Sequence, residues 1–231
     1  MKKISVLAIF FLLQMSYVFA QDANALLQRV RDKLNLVNNY EADAVMKTDI
    51  YFLKVPQANV KVYFKKPDKL KIRNDKGISF VPKGAVSINL NNIIAGNKFT
   101  VINAGNTTIG NIPTTILKLL PEDENSNVIL STIYVDEKNS VIIKAKTTTK
   151  DNGTYDLEMN YGKYTEYGLP DKVVFIFNTK DYKMPKGVTF DYDDAEVKKN
   201  NDDNNKGGQA KIEIMYSSYK INKGVSDEIF K

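Results

Sequence analysis

The first pattern in the chain is an apolar stripe at helical spacing, followed by strict alternation of apolar and polar residues. The stripe consists of Ala23, Leu26, Leu27, Val30, Leu34 and Val37. Gln28, Arg29, Arg31 and Lys33 occupy the opposite face, as in an amphipathic helix that packs one side on a core. Asp22 suits the start of this helix and Asn38-Asn39 its end. We therefore expect one N-terminal amphipathic helix.

From Tyr40 the apolar period changes from helical to two, which predicts strands. One face of the first strand carries Tyr40, Ala42, Ala44, Met46, Thr48, Ile50 and Phe52. The next strand carries Val60, Val62 and Phe64 on one face, and a turn at Pro67-Asp68 leads to a strand with Leu70 and Ile72. This region should form a long, half-buried strand followed by a hairpin.

The second half of the chain reads as a meander of strands. Val128–Val135 and Val141–Thr149 flank a turn, and alternation resumes over Tyr155–Tyr161 and Ile212–Tyr216. Lys172–Asn178, with Val173, Phe175 and Phe177, is apolar on both faces and is expected to be a central or doubly covered strand. About ten strands with closely spaced turns favour a mainly β fold with a single antiparallel sheet, strongly curved or barrel-like.

Two local patterns leave room for either a ligand or ordinary packing. Ile116, Leu117, Leu119 and Leu120 lie between Pro113 and Pro121, which predicts a short apolar helix. That helix could cover a cavity as a lid or fill the end of a barrel as core. Likewise, the small side chains of Ala42 and Ala44, beside the bulkier Met46 and Ile50, could leave a cavity for a ligand or allow a helix to pack closely.

The first twenty residues have the layout of an export signal. Lys2 and Lys3 precede the apolar run Ile4–Leu13, and a cleavage segment ends at Ala20. The run is too short to span a bilayer as a mature helix, although an uncleaved anchor is the alternative. The chain has no cysteine, so position 21, which is Gln21, cannot be lipidated. We expect a cleaved signal peptide over 1–20 and a soluble, exported single domain over 21–231, without a membrane span.

Composition then narrows the chemistry. Residues 21–231 contain 31 Lys and Arg against 27 Asp and Glu, a mild excess that looks spread along the chain and favours weak attraction to anionic surfaces. The absence of histidine excludes His-dependent hydrolases and His-ligated zinc, and no phosphate loop or nucleophile elbow is present. Paired-carboxylate chemistry stays open. We expect no enzyme activity, no cofactor and no nucleic-acid partner.

The acidic, Asn-rich stretch Asp191–Gly208 could suggest calcium. Its spacing lacks the glycine and the glutamate of an EF-hand loop, so a solvated loop between strands fits better. No metal site is therefore predicted.

Three segments of the chain form a familiar set: Val60–Arg73, in which a strand ends in basic-basic-Pro, Tyr161–Pro170 and Tyr219–Phe230. With these segments the chain resembles the LolA-like family of outer-membrane lipoprotein carrier and sorting proteins, and the last two look like the Bacteroidetes-type branch of that family. The family's arginine linked to lid closure has no counterpart in residues 40–55, and its tryptophan-containing segment is also missing.

The resemblance implies an incomplete antiparallel barrel around helices that act as a lid, and a periplasmic carrier of lipoprotein acyl chains. Partners would be lipoprotein or lipid acyl chains, an inner-membrane release complex and an outer-membrane acceptor, and the carrier would be a monomer. The candidate lid and cavity residues are Leu26, Leu27, Val30, Leu34, Ala42, Ala44, Met46, Ile50, Phe52, Val60, Val62, Phe64, Leu70, Ile72, Ile116, Leu117, Leu119, Leu120, Val173, Phe175 and Phe177. A lipid-sensing module that acts through a protein partner and an exported interaction protein with a filled core are the alternatives.

Overall fold

In the part of the chain that the structure describes, a helix packs on one face of a single sheet. The computed structural model describes residues 23–50, 53–54, 57–67, 69–74, 94, 98–151, 153–178 and 208–230. The predictions for the signal peptide (1–20) and for the loop at 191–207 lie outside these residues. Within the described part, no helix is long and apolar enough to cross a membrane.

A helix occupies residues 23–35, as the apolar stripe predicts. Its last carbonyl groups are satisfied from outside the helix, because the Lys66 ammonium donates to the Asn35 carbonyl at 3.0 Å and the Asn222 amide donates to the Leu36 carbonyl at 2.8 Å. A cation and an amide at this end suit the negative pole of the helix dipole.

Strand bounds agree with the alternation in most of the chain. The strands are β1 (Asn39–Ile50), β2 (Leu53–Lys54), β3 (Ala58–Lys65), β4 (Lys69–Asn74), β5 (Phe99–Ile109), β6 (Ile112–Pro121), β7 (Val128–Asp136), β8 (Val141–Thr149), β9 (Gly153–Asn160), β10 (Lys172–Asn178) and β11 (Gln209–Ile221). Short 3₁₀ turns cover Thr165–Tyr167 and Asp227–Phe230.

These strands form one curved, unclosed antiparallel sheet. The order is β4-β3-β1-β11-β10-β9-β8-β7-β6-β5, and β2 pairs with β1. The last strand therefore inserts beside the first, so β11 joins the N-terminal hairpin to the C-terminal meander. β10 lies between β9 and β11, which confirms the prediction of a central strand for 172–178.

The predicted short helix at 112–120 is wrong, because this segment is strand β6. Thr115, Leu117 and Leu119 are buried on one face, whereas Lys118 and Leu120 on the other are exposed. Two apolar residues on the outer face, Ile116 and Leu120, hid this alternation and gave the impression of a helix that is apolar all round. The β-branched run Thr114–Ile116 favours an extended backbone, and prolines at both ends of a segment suit the ends of a strand as well as those of a helix.

Candidate functional site: the inner face of the sheet

The register of the strands brings the apolar positions to one side of the sheet. On β1 and β3, Tyr40 pairs with Phe64, Ala42 with Val62, and Ala44 with Val60. The intervening residues of β1, such as Glu41 and Asp43, point to the other side. We call the side that carries the buried residues the inner face. Its residues form two clusters.

The first, the helix-covered cluster, joins helix 23–35 to the C-terminal meander. Its buried members are Ala23, Leu26, Leu27, Val30, Ile94, Phe99, Leu117, Leu119, Ile133, Val135, Ile142, Ala145, Tyr155, Leu157, Met159, Phe175, Phe177 and Ala210. The void between Val30 and Leu34 of the helix and Ile142 of β8 is only about 10 Å³, which is too small for an acyl chain. In this state the helix fills that part of the inner face.

Two hydrogen bonds and one ion pair, made by polar side chains of the helix, attach it at the edge of the helix-covered cluster, which we call the rim. Arg31 Nε donates to the Ile94 carbonyl at 3.1 Å, and the Lys33 ammonium donates to the Asn139 carbonyl. Arg29 lies 4.0 Å from the Glu137 carboxylate, and both side chains of this pair are about half exposed. Exposed pairs of this kind each contribute at most about 1 kcal/mol, so apolar burial is the main attachment of the helix.

The second, the tyrosine cluster, lies on the N-terminal half of the sheet. Its buried members are Val37, Ala42, Ala44, Met46, Val60, Val62, Phe64, Ile72, Leu169 and Tyr219, with Tyr40, Tyr164, Tyr167 and Tyr216 packed against them. The rings of Tyr216 and Tyr219 are stacked at 5.0 Å, and the Tyr40 ring meets Tyr219 edge-on at 5.2 Å.

A β-bulge creates this cluster and was not evident from the sequence. Asp43 pairs with Ser218 and Ala44 with Tyr216, so Ser217 is an extra residue in β11. Without it, Tyr216 and Tyr219, which are three positions apart, would point to opposite faces. The bulge places both rings opposite Ala44 and Ala42, so part of the space left by the alanines is taken up by aromatic side chains.

Three tyrosine side chains of the inner face are uncharged at physiological pH. Burial raises the pKa of Tyr40, Tyr216 and Tyr219 well above the ordinary value, and the Tyr219 hydroxyl donates to the Pro170 carbonyl at 2.7 Å. All three therefore stay neutral at physiological pH. Within the described residues, no group of three or more acidic, histidine or cysteine side chains is arranged to hold a metal ion.

The structure distributes the predicted site residues between the two clusters. The helix-covered cluster holds Leu26, Leu27, Val30, Leu117, Leu119, Phe175 and Phe177, with Leu34 and Val173 packed against it. The tyrosine cluster holds Ala42, Ala44, Met46, Val60, Val62, Phe64 and Ile72, with Leu70 packed against it.

Four predicted residues are not placed on the inner face. Ile116 pairs with Tyr134 on the outer register of β6, and Leu120 is 38% exposed. The side chains of Ile50 and Phe52 lie outside the described ones. Whether any of the predicted residues binds an acyl chain stays a prediction.

A polar groove opens beside the helix. It has a volume of about 600 Å³ and is lined by Asn106, Asn111, Ile112, Pro113, Thr114, Thr115, Asp136, Glu137, Lys138 and Asn139. The Thr115 hydroxyl contacts Glu137 at its wall, and Asn139 donates to Asp136 at 2.6 Å. Sequence analysis did not single out this groove, since its lining comes from turns and strand ends that look like ordinary loop chemistry.

No protein-family model matches the chain, and no curated protein sequence matches it. Solved structures do resemble it. A domain assigned to outer membrane lipoprotein sorting from Vibrio parahaemolyticus superposes with a TM-score of 0.58 and 10% identity, over 91% of this chain and 97% of that one.

Two further structures give similar values. A LolA superfamily protein from Nitrosomonas europaea has a TM-score of 0.55 and 12% identity, over 90% of this chain and 97% of its own. A DUF1329 family protein from Desulfovibrio piger has a TM-score of 0.53 and 14% identity, over 92% and 97%. The resemblance to the LolA-like family is thus confirmed for the fold, an incomplete antiparallel barrel.

Proposed function

We propose that this protein is a periplasmic carrier that binds the acyl chains of lipoproteins or lipids on the inner face of its sheet. The observation that carries the proposal is the helix at 23–35, which buries an apolar face on the open side of an unclosed, LolA-like sheet. An acyl chain needs the same kind of surface. Binding and release would make and break no covalent bond.

The helix and an acyl chain would gain comparable free energies from burial on the inner face. Burial of Leu26, Leu27 and Val30 stabilises the helix on the sheet by about 5–9 kcal/mol, at about 1.5–3 kcal/mol for each side chain. An acyl chain of about 15 methylenes could contribute about 12 kcal/mol when fully buried. Both values are upper estimates. A ligand of this size can therefore displace the helix, and the helix can compete with it for release.

Removal of the signal over 1–20 would deliver a soluble chain to the periplasm, where a carrier of acyl chains would work as a monomer between an inner-membrane donor and an outer-membrane acceptor. Exposed tails of the cargo would be shielded by the helix and the two clusters. The tyrosine cluster would then remain as the fixed wall beside a movable cover.

Release of a lipoprotein from membranes tests this proposal. The chain from Gln21, which contains every described residue, is added to spheroplasts that display a triacylated lipoprotein, and the membranes are removed by centrifugation. We expect the lipoprotein in a soluble one-to-one complex with the carrier. If several native lipoproteins all stay with the membranes, lipoprotein transport is excluded and a lipid sensor acting through a protein partner becomes the better account.

A further inference from the structure

The net excess of positive charge in residues 21–231 is concentrated in one hairpin. Residues 60–73 contain six Lys and Arg and one acidic residue, Asp68. The rest of residues 21–231 contains 25 Lys and Arg against 26 Asp and Glu. The excess is therefore not spread along the chain, as the sequence pattern suggested, because this one segment accounts for all of it.

The register of β3 and β4 puts these cations on one surface. Lys61 pairs with Arg73, and Lys65 pairs with Lys69, while Lys71 lies opposite Tyr63 between them. The apolar partners Val60, Val62, Phe64, Leu70 and Ile72 take the inner face. We call the outer surface formed by Lys61, Lys65, Lys69, Lys71 and Arg73 the cationic face.

This arrangement opposes folding locally. Like charges directly opposite each other on a sheet are destabilising, and the pKa of Lys71 is lowered by burial and by the neighbouring Arg73. Acids from elsewhere in the chain offset part of the repulsion. Lys61 lies 3.1 Å from Glu41 and 2.9 Å from Asp43.

The C-terminal turn Asp227–Phe230 is the second source of compensation. Asp227 bridges Lys65 at 2.9 Å and Lys69 at 2.7 Å, which lowers the pKa of its carboxyl to about 2. Arg73 donates to the Ile229 carbonyl at 2.9 Å, and the Lys69 ammonium lies 5.8 Å from the centre of the Phe230 ring. The five cations of the face outnumber the three carboxylates of Glu41, Asp43 and Asp227 that pair with them, so the face keeps a net positive charge.

We propose that the cationic face docks this protein on the anionic headgroup surface of a lipid bilayer, and that Asp227 competes with the headgroups for Lys65 and Lys69. A bilayer fits better than an acidic protein because the face is a row of paired cations on a sheet with the ring of Tyr63 among them, and tyrosine suits the headgroup region. Each cation close to an anionic membrane strengthens binding by about fivefold. This docking does not require that the protein carries acyl chains.

Sedimentation with vesicles tests it. The chain from Gln21 is mixed with vesicles of phosphatidylcholine that contain phosphatidylglycerol, or of phosphatidylcholine alone. Starting from Gln21 matters because the apolar run at 4–13 would itself enter lipid. We expect binding to the anionic vesicles only, and its loss near 1 M salt, where the screening length is about 3 Å.

Two variants with opposite expected effects separate docking from misfolding. Lys71→Glu combined with Arg73→Glu should weaken binding to anionic vesicles at least about tenfold, whereas Asp227→Asn should strengthen it about two- to fivefold. The control is Lys98→Glu combined with Lys118→Glu, which makes the same change in net charge at two exposed residues outside the cationic face and should have a smaller effect.

Equal binding to both kinds of vesicle, or equal losses in the two double variants, would overturn the proposal. Absence of binding to anionic vesicles at low salt would also overturn it, and would direct attention to an acidic protein as the partner of this face. Acyl-chain binding measured without vesicles should be unchanged in the Lys71→Glu, Arg73→Glu variant, so failure of the carrier proposal would be seen separately.

Discussion

The two halves of the inner face differ in what covers them. The helix-covered cluster is closed by an element that lies outside the sheet and is held by its apolar side chains and a few bonds at the rim. The tyrosine cluster is filled mainly by rings that belong to the strands themselves, namely Tyr40 on β1, Phe64 on β3, and Tyr216 and Tyr219 on β11, and Tyr164 and Tyr167 at the 3₁₀ turn pack against them.

We infer from this difference that the helix-covered half of the inner face can open more easily than the half that holds the tyrosine cluster. Moving helix 23–35 exposes apolar surface while every strand pair stays intact. Removing Tyr219 from the inner face would require loss of its hydrogen bond to Pro170 and of the β1–β11 pairing around the bulge. We therefore expect acyl chains to enter under the helix, with the tyrosine cluster as a fixed wall.

The largest expected effect is that of a charge under the helix. Leu117→Asp places a carboxylate at a position with 0% exposure in the helix-covered cluster, and we expect a loss of about 4–5 kcal/mol in the free energy of unfolding, or no folding at all. Leu120→Asp in the same strand is the matched control, because Leu120 is exposed, and it should change stability by less than about 1 kcal/mol. Chemical denaturation measures the free energy of unfolding of both variants. Similar losses of stability would contradict the burial of Leu117 on the inner face of β6.

Weaker packing of helix 23–35 should increase the fraction of molecules in which the helix-covered cluster is open. Leu27→Ala removes buried methyl groups between helix and sheet at a cost of about 2–4 kcal/mol. If only the helix-open state binds, affinity for a fluorescent fatty acid should rise, by about 30- to 900-fold if the whole cost falls on closure. Leu36→Ala just after the helix, where the side chain is 52% exposed, is the control and should leave affinity unchanged. Reduced affinity in a folded Leu27→Ala variant would mean that Leu27 is itself part of the ligand site.

A larger side chain in the tyrosine cluster should lower the stability of the protein without changing its affinity for fatty acids. Ala44→Phe introduces a ring opposite Tyr216 and Val60, and overpacking should lower stability by about 1–3 kcal/mol. Fatty-acid affinity should stay within about twofold of the wild-type value if acyl chains lie under the helix. Loss of binding in the folded variant would place the ligand at the alanines and reverse the assignment of the two halves.

The smallest effect concerns the outer face behind the tyrosine cluster. Hydrogen bonds from Lys61 lower the pKa of Glu41 and of Asp43, so these carboxylates add stability above their ordinary pKa values, and the gain is lost as the pH falls through the lowered ones. Because the groups are partly exposed, Lys61→Gln should cost less than about 1 kcal/mol at neutral pH. Thermal melts of both proteins should converge as the pH falls below about 4, where the carboxylates become protonated. A difference that persists in acid would show that Lys61 acts through packing.

Alternation alone predicted much of the sheet. The strands around Ala42, Val62 and Leu157 were evident because one side of each is buried and the other is more exposed, and the strand around Phe175 was evident because both of its faces are apolar. The helix at 23–35 was equally clear from its apolar stripe. In both cases local pattern and tertiary environment agree.

Two features could not be read in this way. In β6, Ile116 and Leu120 put apolar residues on the outer side and masked the period of two, so that Leu117 was assigned to a helix. In β11, the extra residue Ser217 is fixed by pairing with β1, whose Asp43 accepts hydrogen bonds from Ser217 and Ser218, and this pairing is a long-range property. The predicted site residues therefore belong to both clusters, because the local sequence does not distinguish the half that the helix covers from the half that the tyrosine rings fill.

The most direct test is to lock the helix in place. A β-carbon added at Gly168 would lie 3.1 Å from Lys33 Cγ, the position that a cysteine sulfur would take, which suits a disulfide between Lys33→Cys and Gly168→Cys in a chain with no other cysteine. Gly168 has a φ of +65°, so the single Gly168→Cys variant controls for strain.

Fatty-acid binding is then measured in the oxidised and reduced forms of the double variant. We predict that the oxidised form does not bind and that reduction restores binding to the level of the single variants. Equal binding by the oxidised and reduced forms would contradict the claim that acyl chains take the place of the helix.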